Sequence, residues 1–208
     1  IAQARANGVE PVEFIVGYDG LAVYVHHANP LDSLTLAQLA EIYADGGPIE
    51  NWAQLGVNVP GAQDDHIVRV SRQNNSGTYA YFKEAVLGKA REYKLGSLDM
   101  HGSKDVVDLV AKTPGAIGYS GIAYATGEVK ALAIARSAGE RAVRPTVETA
   151  RNESYPIART LLMYTAGQPT GAVKAYLDWI LSDAGQRIIQ DKGYAPVYYP
   201  AACDGALA

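Results

Sequence analysis

The chain has 208 residues, of which 48% are hydrophobic and 19% are charged, and its formal net charge is −4. This composition is typical of a globular protein that buries its core in one domain or two lobes, and it excludes a disordered chain. The 18 Lys and Arg residues are scattered, so no basic patch indicates nucleic acid as a partner. The single cysteine, Cys203, allows no intrachain disulfide. No apolar run approaches the roughly 20 residues that span a membrane.

The N-terminal residues predict the end of a helix followed by two strands. Residues 1–8 have the pattern of the last turns of a helix that ends at Gly8, with no cap residue before it, so we expect a further segment upstream. Alternating apolar residues then predict a half-buried strand, and Gly17-Tyr18-Asp19-Gly20 predicts a turn. Residues 21–25 predict a buried strand that ends before Asn29-Pro30.

Helices and strands then alternate along the chain. Thr35 is expected to cap an amphipathic helix, and Ser103 a later helix that ends before Pro114-Gly115. Short strands are predicted at 116–119, 129–134 and 161–164, and helices after Pro169 and over 186–192. The polar, turn-like stretch 150–156 is the best candidate for a crossing between lobes. This alternation is typical of a layered α/β domain.

The most informative stretch, between Ile67 and Gly88, joins a strand, a polar loop and a helix. A loop of small residues that enters a helix leaves backbone N–H groups free at the positive end of the helix dipole. Such a loop suits an anion.

Four residues of this stretch are candidate anion ligands. Ser76 and Thr78 carry hydroxyl donors, and Gly77 lets an anion approach the backbone closely. Arg72 offers a fork of donors that matches tetrahedral oxygens. The residues alone leave a second interpretation open, in which Ser76 or Thr78 only caps the helix and Arg72 pairs with a surface carboxylate.

The run Arg72 to Thr78, with the aromatic residues after it, resembles the anion-binding loop of phosphate-binding proteins, the receptors of Pst-type ABC importers. Further segments resemble this family in the same order over essentially the whole chain. They are Tyr18-Asp19-Gly20, Asn29-Pro30, Leu34 to Leu39, Ile42-Tyr43, Asn51-Trp52, Thr113 to Tyr119, Tyr155 to Arg159, Gly185-Gln186 and Gly193-Tyr194. Each motif is weak by itself, but their common order is specific.

The resemblance implies an α/β fold of the type II periplasmic-binding-protein class, in which two lobes joined by hinge strands close on a small ligand. It places residues 1–29 and 154–208 in a first, incomplete lobe and residues 30–153 in a second, with crossings near 24–29 and 154–159. It also implies that Arg72, Ser76, Gly77 and Thr78 bind inorganic phosphate in the interlobe cleft. The implied role is delivery to the membrane subunits of an ABC importer, from the periplasm or the cell surface. Neither an enzymatic activity nor a cofactor is implied.

The chain departs from the family at two places. Many members of the family carry an Asp at the position of Asn74. We therefore expect Asn74 only to orient Arg72. The family's N-terminal segment, with a Ser/Thr loop and an acidic residue that accepts the proton of hydrogen phosphate, is not recognisable here. We therefore expect a missing N-terminal segment to supply the rest of the site. The chain alone is then expected to bind phosphate weakly and to associate through an exposed apolar face.

Other functions are open at this point. The chain could be a receptor for another oxyanion, such as tungstate or molybdate, or a phosphate sensor without a role in transport. A hydrolase with Ser76 as nucleophile would need a base, and no histidine stands in an evident relation to Ser76. His26 and His27 are adjacent on a strand and point to opposite faces, so we expect no shared metal site there.

Overall fold

A computed structural model describes residues 1–200, and Cys203 lies outside the described residues. The strands of residues 1–200 are β1 (Pro11–His26), β2 (Ser33–Thr35), β3 (Val68–Arg72), β4 (Leu98–Met100), β5 (Ala116–Gly121), β6 (Val129–Ala131), β7 (Ala133–Ala135) and β8 (Ala158–Ala166). The helices are α1 (Ala2–Ala6), α2 (Leu36–Tyr43), α3 (Gly77–Phe82), α4 (Ser103–Lys112), α5 (Val147–Arg151), α6 (Gly171–Ile180) and α7 (Asp183–Asp191). A π-helical turn, Lys83–Leu87, continues α3, and 3-10 turns cover Trp52–Leu55 and Ile122–Tyr124.

One long strand, β1, connects the two sheet regions of the molecule. The central sheet has the strand order β4-β3-β5-β1-β6, with β3 parallel to β4 and β5, and β1 antiparallel to β5 and β6. The first half of β1 leaves this sheet and forms an antiparallel ribbon with β8, from Pro11 opposite Ala166 to Gly20 opposite Ala158. Strands β2 and β7 form a separate parallel pair. The division into lobes of residues 1–29 with 154–208 and residues 30–153 stays a prediction.

Helices cover both faces of the central sheet. Along β1, Leu21, Val23 and Val25 pack into one core cluster, which includes residues of α2 and α3, whereas Ala22 and Tyr24 pack into a second cluster beneath α4. Successive side chains of a strand point to opposite faces, so a continuous apolar run needs cover on both sides. The α/β class that the sequence predicts is therefore confirmed.

The predicted turn at Gly17 to Gly20 is wrong, because β1 runs through it without a break. The strand has an irregular register between Ile15 and Gly17, opposite Leu162 and Leu161. Gly17 and Gly20 allow other parts of the chain to pack closely against β1, and they do not reverse the direction of the chain. A Cβ at Gly17 would lie 3.2 Å from the Ala195 carbonyl oxygen, and a Cβ at Gly20 would overlap Ile122 Cδ1. Glycine in a strand is typical of such close approaches as well as of turns.

Other predicted boundaries also change. The predicted strand 129–134 is divided at Leu132, since the chain passes there from the central sheet to the pair with β2. The predicted turn 150–156 begins only after Arg151, the last residue of α5. Ser103 is the first residue of α4 and not its cap. Gly102 precedes the helix, and its N–H donates to Asp105 Oδ2 at 2.9 Å. By contrast, Thr35 caps α2 as predicted, with a hydrogen bond from Gln38 N to Thr35 Oγ1.

Candidate functional site

Polar residues gather where the parallel strands of the central sheet end. β3 ends at Arg72, and β4 ends at Met100, directly opposite Arg72 in the ladder. The helices that follow these strands, α3 and α4, begin after short loops. The carboxyl ends of parallel strands meet at one edge of the sheet, where open α/β sheets bind their ligands. The four predicted anion ligands lie at this edge, at the end of β3 and the start of α3.

Among residues 1–200, Arg72 donates only to neutral oxygens. Its Nη1 donates to Ser103 Oγ at 2.8 Å and to Thr78 Oγ1 at 3.5 Å, and its Nη2 donates to the His101 carbonyl at 2.8 Å. Among residues 1–200 no carboxylate forms an ion pair with it, and its buried Nε has no hydrogen-bond partner there. The interpretation in which Arg72 pairs with a surface carboxylate therefore finds no support in this part of the chain. The guanidinium charge is available to an anion.

The start of α3 presents hydrogen-bond donors around Gly77. Ser76 is the N-cap, one of the two residues that the second interpretation allowed as the cap, and its Oγ accepts from Thr78 N at 3.2 Å. The N–H groups of Gly77 and Tyr79 have no hydrogen-bond partner within residues 1–200. A Cβ built at Gly77 would meet nothing within 4 Å, so the space beside this backbone is open. Free N–H groups at a helix start, with open space beside them, suit an anion.

Ser103, His101 and Thr78 supply the hydrogen bonds of the Arg72 guanidinium within residues 1–200. Asn74 is exposed, and its side chain makes no hydrogen bond to the described residues, so its orienting role stays a prediction. The sequence does not mark Ser103 as a site residue, because the strand that brings it to Arg72, β4, has only three residues and an exposed, non-alternating pattern. A serine at the start of a helix is a weak signal on its own.

An aromatic cluster fixes α3 against the sheet. The Phe82 ring stacks on Tyr119 of β5, with centroids 3.7 Å apart. Tyr119 Oη shares a 2.7 Å hydrogen bond with Ser71 Oγ of β3 and a 3.0 Å bond with Tyr93 Oη. Burial raises the pKa of the Tyr119 hydroxyl, so it stays protonated at neutral pH. These contacts hold the start of α3 beside the end of β3.

A small cavity lies beside Thr78 of α3 and Ser103 of α4. Its volume is about 100 Å³, and its lining includes Asp19, Thr78, Ser103, Tyr124, Arg159 and Tyr194. Pockets for drug-sized ligands measure about 300–1,000 Å³. The cavity thus suits a small ion. Because the oxygens of Thr78 and Ser103 accept from Arg72, their own O–H groups can donate to a group in the cavity.

An ion pair from the β1–β8 ribbon also lines the cavity. Asp19 Oδ2 accepts from Arg159 Nη2 at 3.0 Å and from Nε at 3.3 Å, and the two residues face each other in the ladder. Burial raises the pKa of the Asp19 carboxyl, although the Arg159 guanidinium acts in the opposite direction. The local sequence pattern gives no sign that these two residues pair, because 140 positions separate them. Only the strand register brings them together.

The described residues lack the features of the other site types. Residues 1–200 contain no group of three or more His, Cys, Asp or Glu that could hold a metal ion. Ser76 Oγ accepts a backbone N–H, and no histidine of the described chain hydrogen-bonds to it. None of the helices in residues 1–200 has both the length and the apolar character for crossing a bilayer.

Comparison with known proteins connects this geometry to a family. A family model described as a PBP superfamily domain matches residues 1–184. The phosphate-binding protein PstS of Pseudomonas aeruginosa is 32% identical over 200 residues, which cover 91% of this chain and 61% of that protein. The chain thus spans about three fifths of the length of this relative.

Solved structures give the same result. A protein from Clostridium perfringens, crystallised with bound phosphate and assigned as a phosphate ABC transporter substrate-binding protein, is 34% identical with a TM-score of 0.74. The match covers 95% of this chain and 76% of that one. An ABC-type phosphate transport receptor from Vibrio cholerae is 27% identical with a TM-score of 0.74, over 88% of this chain and 72% of that one. The type II periplasmic-binding-protein fold is thereby confirmed, and the chain belongs to the PBP superfamily and, within it, to the PstS-like family of phosphate-binding proteins.

Proposed function

We propose that this chain binds inorganic phosphate outside the cytoplasm and delivers it to the membrane subunits of an ABC importer. The observation that carries the proposal is the state of Arg72, a guanidinium at the carboxyl ends of parallel strands that, within the described part of the chain, donates only to neutral oxygens. An unpaired charge of this kind, surrounded by hydroxyl and N–H donors, is matched to an oxyanion. The Pseudomonas aeruginosa, Clostridium perfringens and Vibrio cholerae relatives are all named for phosphate, which supports phosphate among the oxyanions.

In this proposal Ser76, Gly77 and Thr78 act with Arg72. The Gly77 and Tyr79 N–H groups donate to the anion, and Thr78 Oγ1 donates while it accepts from Arg72. Ser103 joins the set, because its hydroxyl makes a shorter contact with Arg72 than the hydroxyl of Thr78 does. A hydroxyl whose oxygen accepts from a cation is a better donor to an anion, since hydrogen bonds in a chain polarise one another.

The length of the match limits what the chain is expected to do alone. The Pseudomonas aeruginosa protein extends well beyond the matched region, which covers 61% of it. We expect a further segment, placed at the N-terminus by the family resemblance, to add contacts to the anion. Each lost hydrogen bond to a charged ligand is worth about 1.5–3 kcal/mol, so an incomplete set of ligands would bind phosphate weakly.

The alternatives are less well supported. Another oxyanion would also fit a cavity of about 100 Å³, but the three relatives described above are named for phosphate and not for tungstate or molybdate. A sensor without a role in transport would use the same site, so the test is co-purification with importer membrane subunits. A hydrolase that uses Ser76 would need a base, and no histidine of the described chain hydrogen-bonds to the Ser76 hydroxyl, whose oxygen accepts from the N–H of Thr78.

Isothermal titration of the purified protein with phosphate, sulfate and tungstate tests the proposal. We expect phosphate to bind most tightly and to be displaced only poorly by sulfate. If tungstate binds more tightly than phosphate, the ligand of this protein is a different oxyanion. Binding of none of the three would contradict an anion site at Arg72 altogether.

A further inference from the structure

A second guanidinium, which belongs neither to α3 nor to α4, lines the cavity beside Thr78 and Ser103. Arg159 of β8 lines the cavity together with these two residues, whose hydroxyl oxygens accept from Arg72. Two arginines from distant parts of the chain are therefore connected to a space of about 100 Å³. One of them lines the space, and the other is bonded to two of its lining hydroxyls.

Three contacts fix the Arg159 side chain before any ligand binds. Asp19 Oδ2 accepts from its Nε and Nη2, and the guanidinium lies over the Tyr81 ring at 4.5 Å from the centroid. Tyr81 is itself held, because its Oη donates to the Ala158 carbonyl. The remaining nitrogen, Nη1, makes no hydrogen bond to residues 1–200. A donor that is already oriented loses little conformational entropy when it binds an anion.

The charges around the cavity are suited to an anion. Arg72 and Arg159 contribute two positive charges, and Asp19 contributes one negative charge that is already bonded to Arg159. The sum of these three formal charges is +1. Asp19 is 8% exposed, whereas the side chain of Arg159 is 33% exposed, so the carboxylate is buried and the guanidinium is partly open to solvent.

We propose that Arg159 is a direct ligand of the bound anion, and that Asp19 and Tyr81 position its guanidinium. The inference rests on the proposed phosphate-binding function and extends the set of ligands from the central sheet to the β1–β8 ribbon. An anion held by Thr78 and Ser103 on one side and by Arg159 on the other connects these two parts of the molecule. Such a ligand couples phosphate binding to their relative position.

The test is isothermal titration of the purified Arg159→Gln protein with phosphate. The loss of one charge-assisted hydrogen bond predicts a Kd that is higher by about ten- to a hundredfold. Arg159→Lys keeps the charge but loses the fork, and we expect an intermediate loss. Arg91→Gln is the matched control, because Arg91 also pairs with a carboxylate, Glu41, and its side chain is as exposed as that of Arg159, at 33%. Its Kd is expected to stay unchanged.

Thermal unfolding without phosphate separates a ligand from a merely structural ion pair. If Arg159→Gln lowers the Tm and leaves the Kd unchanged, the pair only joins β1 to β8, and the inference is overturned. If Arg72→Ala weakens phosphate binding and Arg159→Gln does not, this inference fails while the proposed function stands. If the unsubstituted protein binds no phosphate, the proposed function itself is contradicted.

Discussion

At the scale of single residues, Gly77 offers a test in which stability and binding respond in opposite directions. Its φ lies outside the left-handed region, and a Cβ at this position would meet no protein atom within 4 Å. Gly77→Ala is therefore compatible with the fold. Replacing glycine at a compatible position stabilises a protein by about 0.4–1 kcal/mol, because the unfolded chain has fewer conformations to lose.

However, if an anion binds at the start of α3, the methyl group that Gly77→Ala introduces occupies the space of that anion. We expect Gly77→Ala to keep or raise the Tm and to raise the Kd for phosphate by about tenfold or more, as one or two N–H contacts are lost. Gly127→Ala is the control, since a Cβ at Gly127 also meets nothing within 4 Å and Gly127 is not part of the cavity lining. An unchanged Kd in Gly77→Ala would place the anion elsewhere.

The sequence predicts the local residues of the site better than the distant ones. Arg72, Ser76, Gly77 and Thr78 lie within seven consecutive positions, and one loop before one helix is enough to bring them together. Ser103, Asp19 and Arg159 reach the cavity beside Thr78 only through the strand order β4-β3-β5-β1 and the pairing of β1 with β8. Pairings between distant strands depend on packing that a local pattern does not encode.

At the scale of secondary-structure elements, Gly118 of β5 sets the position of α4. A Cβ at Gly118 would lie 2.8 Å from Val106 Cγ1 and 2.9 Å from Val110 Cγ2, both on α4. Valine side chains in a helix have one strongly preferred rotamer, so the helix itself must shift to make room. Since α4 begins with Ser103, a shift of this helix also moves an acceptor of Arg72.

We therefore expect Gly118→Ala to destabilise the fold by about 1–3 kcal/mol, as overpacking of a core commonly does. The Kd for phosphate should rise as well, although residue 118 does not line the cavity. Urea unfolding and phosphate titration of the same preparation measure both effects. A destabilised variant with an unchanged Kd would show that Ser103 is not needed at its present position.

The elements that the sequence predicts best are those with local signals. The cap of α2 at Thr35 follows from the residue types at fixed spacing, whereas the local pattern left the cap of α3 open between Ser76 and Thr78. The continuous course of β1 could not be predicted in this way. Gly17 and Gly20 are residue types that are typical of a turn. Glycine is required at these positions because Ala195 and Ile122, from later parts of the chain, pack against them.

At the scale of the whole molecule, the β1–β8 ribbon and α6 carry large apolar side chains on the surface. Ile15, Leu162, Tyr164, Val173, Tyr176 and Trp179 are all exposed. The Tyr176 and Trp179 rings stack on each other, with centroids 6.1 Å apart. Large exposed apolar patches are typical of surfaces that contact another chain or segment. The expected self-association of the chain stays a prediction.

The net charge of the molecule is −4, yet its proposed ligand is an anion. The two facts are compatible, because charges separated by more than about 10 Å are largely screened at physiological salt. The ligand responds to groups at contact distance, and Arg72 is the one among them that has no carboxylate partner within residues 1–200. Arg72 is thus the residue on which the proposed function depends.

Isothermal titration of Arg72→Ala with phosphate tests that dependence directly, beside the unsubstituted protein and Arg91→Ala. Arg91 is a suitable control because its guanidinium pairs with Glu41 and lies outside the cavity lining. Loss of a charge-assisted contact of about 1.5–3 kcal/mol predicts a Kd that is about ten- to a hundredfold higher for Arg72→Ala, with no change for Arg91→Ala. Equal phosphate affinity of Arg72→Ala and the unsubstituted protein would contradict an anion site at Arg72.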